Sequence, residues 1–143
     1  MKRVLVLAVV LVAGACAGGA HDPLIDELDA LALPASVSFF ADVKYGSTTG
    51  FMGSDPLVAR YYLSDLPPED LCEDLADIKA ALDLSDRRTG GAACKFGRPS
   101  SPDDRGFQMT VTGPREAVPA GDDTINSTPI DVPHRSVLVA SIG

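Results

Sequence analysis

Apolar positions along the chain repeat with either a helical or an alternating period, and the two regimes take turns. Leu24, Ile25, Leu28 and Leu31 fall on one helical face, with Asp26, Glu27 and Asp29 off it, so a short helix is expected from Pro23 to Leu31. Asp22 then reads as its N-cap, Pro23 suits the first helical position, and Pro34 closes the segment. Ser36 to Tyr45 alternates. Val37, Phe39, Ala41, Val43 and Tyr45 share one face, Ser38, Asp42 and Lys44 the other, and Phe40 is the exception, which predicts a half-buried strand. Leu57 to Leu63 is a second strand that alternates weakly, with Tyr61 and Tyr62 pointing to opposite faces.

After the Pro67-Pro68 stop, Leu71, Leu75, Ile78 and Leu82 form a single stripe, predicting one amphipathic helix from about Pro68 to Leu84. Ala92 to Phe96 is a short strand. Gly106 to Thr112 alternates cleanly, with Phe107, Met109 and Val111 inward. Residues 115–135, with four acids, Pro119, Pro129 and Pro133, read as a long loop, mobile in the first reading and a contact surface in the alternative, and Ser136 to Ile142 as a closing strand inside the sheet. The expected architecture is a two-layer α+β domain over residues 22–143. It has an antiparallel sheet of four to five strands, one long amphipathic helix on one face, and the order α-β-β-α-β-β-β.

The start of the chain follows another logic. Met1-Lys2-Arg3 is positive, Val4 to Ala13 is uncharged and apolar, and small residues follow. This is the plan of a secretory signal peptide over residues 1–15, with 16–21 as a tether, and the apolar run is short for a membrane span. Ala13-Gly14-Ala15-Cys16 resembles the lipobox of bacterial lipoprotein precursors. The resemblance implies a diacylglycerol on Cys16, which becomes the first residue after cleavage, and an exported protein held at the outer face of the cell membrane. That family usually has Leu where this chain has Ala13. Ala13-x-Ala15 and Ala15-x-Ala17 also suit ordinary signal peptidase, so secretion without lipid stays open.

Charge narrows the partners. Loss of residues 1–15 removes Lys2 and Arg3 and no acid, leaving 10 basic and 20 acidic residues, net −10. Such a surface argues against nucleic acid and against electrostatic docking on anionic lipid. In an exported chain Cys72, near the start of the helix, and Cys94, in the strand after it, are expected to pair as a disulfide. That bridge would close a loop of about 23 residues and restrain the unfolded chain by roughly 3 kcal/mol.

Candidate chemistry is sparse. Gly46 to Asp55 is rich in glycine but lacks the lysine of a phosphate-binding loop, and reads as a hairpin connection. Glu69, Asp70, Glu73 and Asp74 crowd a helix start, where they suit the dipole; no fixed loop adds the oxygen ligands a metal needs. Arg87 and Arg88 are expected at the negative end of that helix, with Gly90-Gly91 as the turn. His21 falls in the tether and His134 in a Pro-flanked loop, so neither belongs to a ligand pair. No G-x-S-x-G or S-x-x-K motif marks a nucleophile. No catalytic, metal or cofactor-binding residue is assigned.

The lipobox, the Arg60-Tyr61-Tyr62 strand and the helix-cysteine/strand-cysteine arrangement together make the chain look like small lipoproteins of high-GC Gram-positive bacteria. That resemblance implies no defined activity. The expected function is a non-enzymatic envelope lipoprotein whose partners are the bilayer, through its acyl anchor, and another envelope protein or component. The alternative is a small exported hydrolase or hydrolase inhibitor.

Overall fold

The computed structural model describes residues 19–46, 55–121 and 123–143. Residues 1–18, where the signal peptide and Cys16 are expected to act, and most of the Gly46–Asp55 connection lie outside the described residues. The elements in chain order are α1 (Asp22–Asp29), β1 (Val37–Tyr45), β2 (Leu57–Ser64), α2 (Pro68–Asp74), α3 (Ala76–Ala81) and β3 (Ser85–Asp86). They continue with β4 (Cys94–Arg98), β5 (Phe107–Thr112), β6 (Ala117–Ala120), β7 (Asp123–Pro129) and β8 (Ser136–Ile142). Six strands form one antiparallel sheet, ordered β1-β2-β8-β5-β4-β3, and β6 and β7 form a separate hairpin.

This corrects the expected fold. The described residues are mostly β, with six strands in the main sheet rather than four to five, and no long helix among them packs across it. The three helices have 8, 7 and 6 residues. The stripe after Pro68 does face the core, with Leu71 and Leu75 fully buried and Ile78 and Leu82 packed against it. At Leu75, however, the backbone sits at φ −89°, ψ 0°, in the bridge region between helix and strand, so α2 ends and α3 restarts. A stripe fixes which face is apolar, and the rod carrying it can still break. Residues 115–135 are corrected too. Val118 and Ile130 bury themselves against the sheet, and the chain between them pairs as β6–β7.

The sheet has a core on each face. On one face Leu24 and Leu28 of α1, Leu71 and Leu75 pack onto Val58, Tyr62, Phe96, Met109, Val111 and Leu138. On the other the β6–β7 hairpin brings Val118, with Ile130 just beyond it, onto Val43, Ala59, Tyr61, Leu63 and Val137. Tyr61 and Tyr62 therefore point oppositely, as expected, and both are buried. The weak alternation of β2 has its cause here, because both its faces are covered. Phe107, Met109 and Val111 are buried along β5, as their spacing predicts. β8 pairs with β2 on one side and β5 on the other, so it lies inside the sheet.

β1 departs from its alternation. Phe39 pairs with Tyr62 and Ala41 with Tyr61, which leaves Phe40 as one extra residue, a β-bulge. A one-residue shift exchanges the faces of everything beyond it. Val37 thus packs on the helix side, while Ala41, Val43 and Tyr45 pack on the hairpin side with Phe40. Phe39 is left 60% exposed. Cys72 of α2 and Cys94 of β4 form a disulfide, with Cα atoms 6.1 Å apart.

Candidate functional site

The hairpin covers only the β1-β2-β8 side of its face of the sheet. On the other side, β3, β4 and β5 present theirs to solvent. Strand register decides what stands there. Ser85, Gly97, Gln108 and Ser141 form one row across the strands. The next row holds Lys95 and Thr110, and the N–H of Arg87 donates to the Lys95 carbonyl at 2.8 Å. These rows floor a cleft of about 590 Å³ whose lining includes Arg87, Arg88, Lys95, Gly97, Gln108 and Ser141. At its end the lining reaches Phe107, Ile142 and Arg98, whose side chains stand on the helix-covered face, with the Arg98 guanidinium 5.8 Å from the Phe107 ring centre.

Gly97 shapes the floor. A Cβ there would lie 2.4 Å from the Phe107 carbonyl oxygen, so β4 and β5 approach closely only because the side chain is missing. Gln108 Nε2 donates to Thr110 Oγ1 at 3.4 Å.

The electrostatics of this cleft run against those of the chain. Arg87, Arg88 and Lys95, three of the ten cations beyond residue 15, are in its lining, and no Asp or Glu side chain is. Among the described residues, Arg87, Arg88 and Lys95 form no ion pair and no side-chain hydrogen bond. Asp86 pairs with Phe96 and so faces the helix side, where it accepts from Lys79 at 2.6 Å. Arg98 alone is paired, to Asp104 at 3.2 Å. Like charges facing each other across a strand pair are destabilising, so packing does not account for Arg87 beside Lys95. Residues 87–98 contain four cations and no acid, a signal that sequence reading could have used. Arg87 and Arg88 do not end a helix as expected, since α3 stops at Ala81 and they follow β3.

A second charged cluster is internal. Arg60, its side chain 8% exposed, makes a two-pronged contact with Asp42 at 2.6 and 2.8 Å and reaches Asp29 at 2.6 Å. Asp42 reaches it because the bulge turns this carboxylate to the helix side, directly opposite Arg60. The Asp42 hydrogen bond holds the guanidinium proton more tightly than usual; burial opposes this and Asp29 adds to it. The cluster ties α1 to β1 and β2. It is closed by its own partners and offers little to a ligand.

The remaining residues singled out by sequence do not converge. Cys72 and Cys94 are bridged, and Cys16 lies outside the described residues. His21 Nε2 lies 2.8 Å from the Tyr45 carbonyl, and His134 accepts from the Arg115 N–H at 3.1 Å. Glu69, Asp70, Glu73 and Asp74 are exposed, and among the described residues no group of three or more His, Cys, Asp or Glu could hold a metal ion. No described helix is long and apolar enough to cross a membrane. The chain matches no known family model, no curated protein and no solved structure.

Proposed function

We propose that the protein is a non-enzymatic binding module of the cell envelope, lipid-anchored through Cys16, with the cleft over β3, β4 and β5 as its binding site. One observation supports this above the others. Arg87, Arg88 and Lys95 line a sheet floor with no Asp or Glu side chain among them, although acids outnumber bases two to one beyond residue 15. Unpaired charge held beside an open concavity is a feature of binding sites. The cleft also lies within the size range of small-molecule sites, roughly 300–1,000 Å³. The positive leader and the small residues before Cys16 support export and anchoring.

The test is amide shift mapping of the mature protein titrated with a fractionated envelope extract. Shifts gathering on Lys95, Gln108 and Ser141, with every extract component recovered unchanged, are expected. Shifts elsewhere, or consumption of a component, would sink the reading. Mass spectrometry of the mature N-terminus tests the anchor, and an unmodified Cys16 or Ala17 terminus overturns it.

A further inference from the structure

Resting on that reading, the geometry points to the class of ligand: a small sugar carrying a phosphate or carboxylate group, bound by its oxyanion to Arg87, Arg88 and Lys95. Guanidinium groups present paired N–H donors that match the oxygens of both anions. Arg87, just past β3, donates its backbone N–H to the Lys95 carbonyl of β4, and Arg88 follows, so that all three cations line the one cleft. The floor adds the amide of Gln108 and the hydroxyl of Ser141, groups able both to donate to and accept from sugar hydroxyls.

Size and field set the limit on length. The cleft holds about 590 Å³, and the remaining surface belongs to a chain of net charge −10 without its signal segment. Asp86, Asp103 and Asp104 stand on the segments next to the cleft. A long polyanion would leave the cations within a few residues and run into this negative field, whereas a single anionic sugar would not. An extended nucleic acid or a run of acidic residues is therefore the wrong shape of charge for this site.

Calorimetric titration of the mature protein with glucose 6-phosphate, glucuronate and glucose tests the assignment. At low salt the two anionic sugars are expected to bind at least about tenfold more tightly than glucose, and to weaken as salt is raised. The tighter of the two identifies the oxyanion. Lys95→Gln and Arg87→Gln should each lose about tenfold in affinity while melting like the parent, and Arg135→Gln, outside the cleft, should bind unchanged. Equal binding of glucose, equal losses in Arg135→Gln and Lys95→Gln, or tighter binding of hexaglutamate or of an oligonucleotide would each overturn the class. If no sugar binds but the envelope extract still shifts Lys95 and Gln108, the ligand class fails and the binding site stands. If neither binds, both fall.

Discussion

Arg60 shows what a single residue does when it cannot reach water. Its guanidinium is satisfied by Asp42 and Asp29, and Phe39 lies over it with the ring centre 5.2 Å away. Removing one partner of a buried pair costs more than the pair contributes, because the other charge stays behind. Arg60→Met should therefore destabilise the protein by about 3 kcal/mol in urea unfolding. Asp29→Asn should cost well under half of that, because Asp29 is mostly exposed and screened. Next to it, burial raises the Tyr62 phenol above its ordinary value of 10.0, with the charge of Arg60 working against the rise. The unfolded chain then gives up this proton first. Stability from this group is intact below about pH 10 and is lost as pH climbs from there through the raised native value. Tyr62→Phe should flatten the fall of melting temperature above pH 10, and an unchanged slope would assign it to other groups. The opposite facing of Tyr61 and Tyr62 was legible from alternation alone. The Arg60–Asp42 pair was not, because it depends on a bulge that the sequence marks only by two adjacent phenylalanines.

At the scale of elements, close approach and covalent restraint decide the outcome. β4 and β5 meet over Gly97, and Gly97→Ala must push the Phe107 carbonyl away. The expected cost is about 1–3 kcal/mol by thermal or urea melting, the usual penalty for overpacking. Replacing Cys72 and Cys94 together by alanine frees the tie between α2 and β4, and should lower stability by about 3 kcal/mol on the chain-entropy account. β5 and β8 were readable because one has a covered face and an open one, and the other is apolar enough for a sheet interior. The break at Leu75 was not, since an unbroken stripe of Leu71, Leu75, Ile78 and Leu82 is compatible with one rod or two. β6 and β7 escaped notice because prolines stand at 119 and 129 and few side chains there are apolar. Proline is tolerated in a two-stranded hairpin, where every strand is an edge. The cleft was hidden for a related reason. The run of cations from Arg87 to Arg98 was visible in the chain, but only the strand register shows that Arg87 lies beside Lys95 over the open side of the sheet.

For the molecule as a whole, the hairpin is the second cover of the sheet. His134 fastens its base: Nε2 accepts from the Arg115 N–H, so the proton on Nδ1 goes to the Val132 carbonyl at 2.7 Å. His134→Ala should cost about 1 kcal/mol, and hydrogen exchange should quicken in β6 and β7 while β8 keeps its protection. The hairpin turn rests on Lys44. Gly121 holds φ +81°, and a Cβ there would come within 2.5 Å of the Lys44 carbonyl oxygen. Gly121→Val should loosen the hairpin more than His134→Ala does, seen as faster exchange over the same residues.

The bulge in β1 has one more consequence, and it concerns what the protein avoids. A sheet that is not closed ends in two free edges, each a template on which another chain could grow as a fibril. Here one edge is β3, only two residues long. The other is β1, the longest strand, which by itself would be the exposed side most open to recruitment. The extra residue at Phe40 breaks its repeat of backbone donors and acceptors, and Lys44 adds charge further along. Deleting Phe40 would straighten that edge, leaving a longer regular strand for self-association wherever copies of the protein are crowded together.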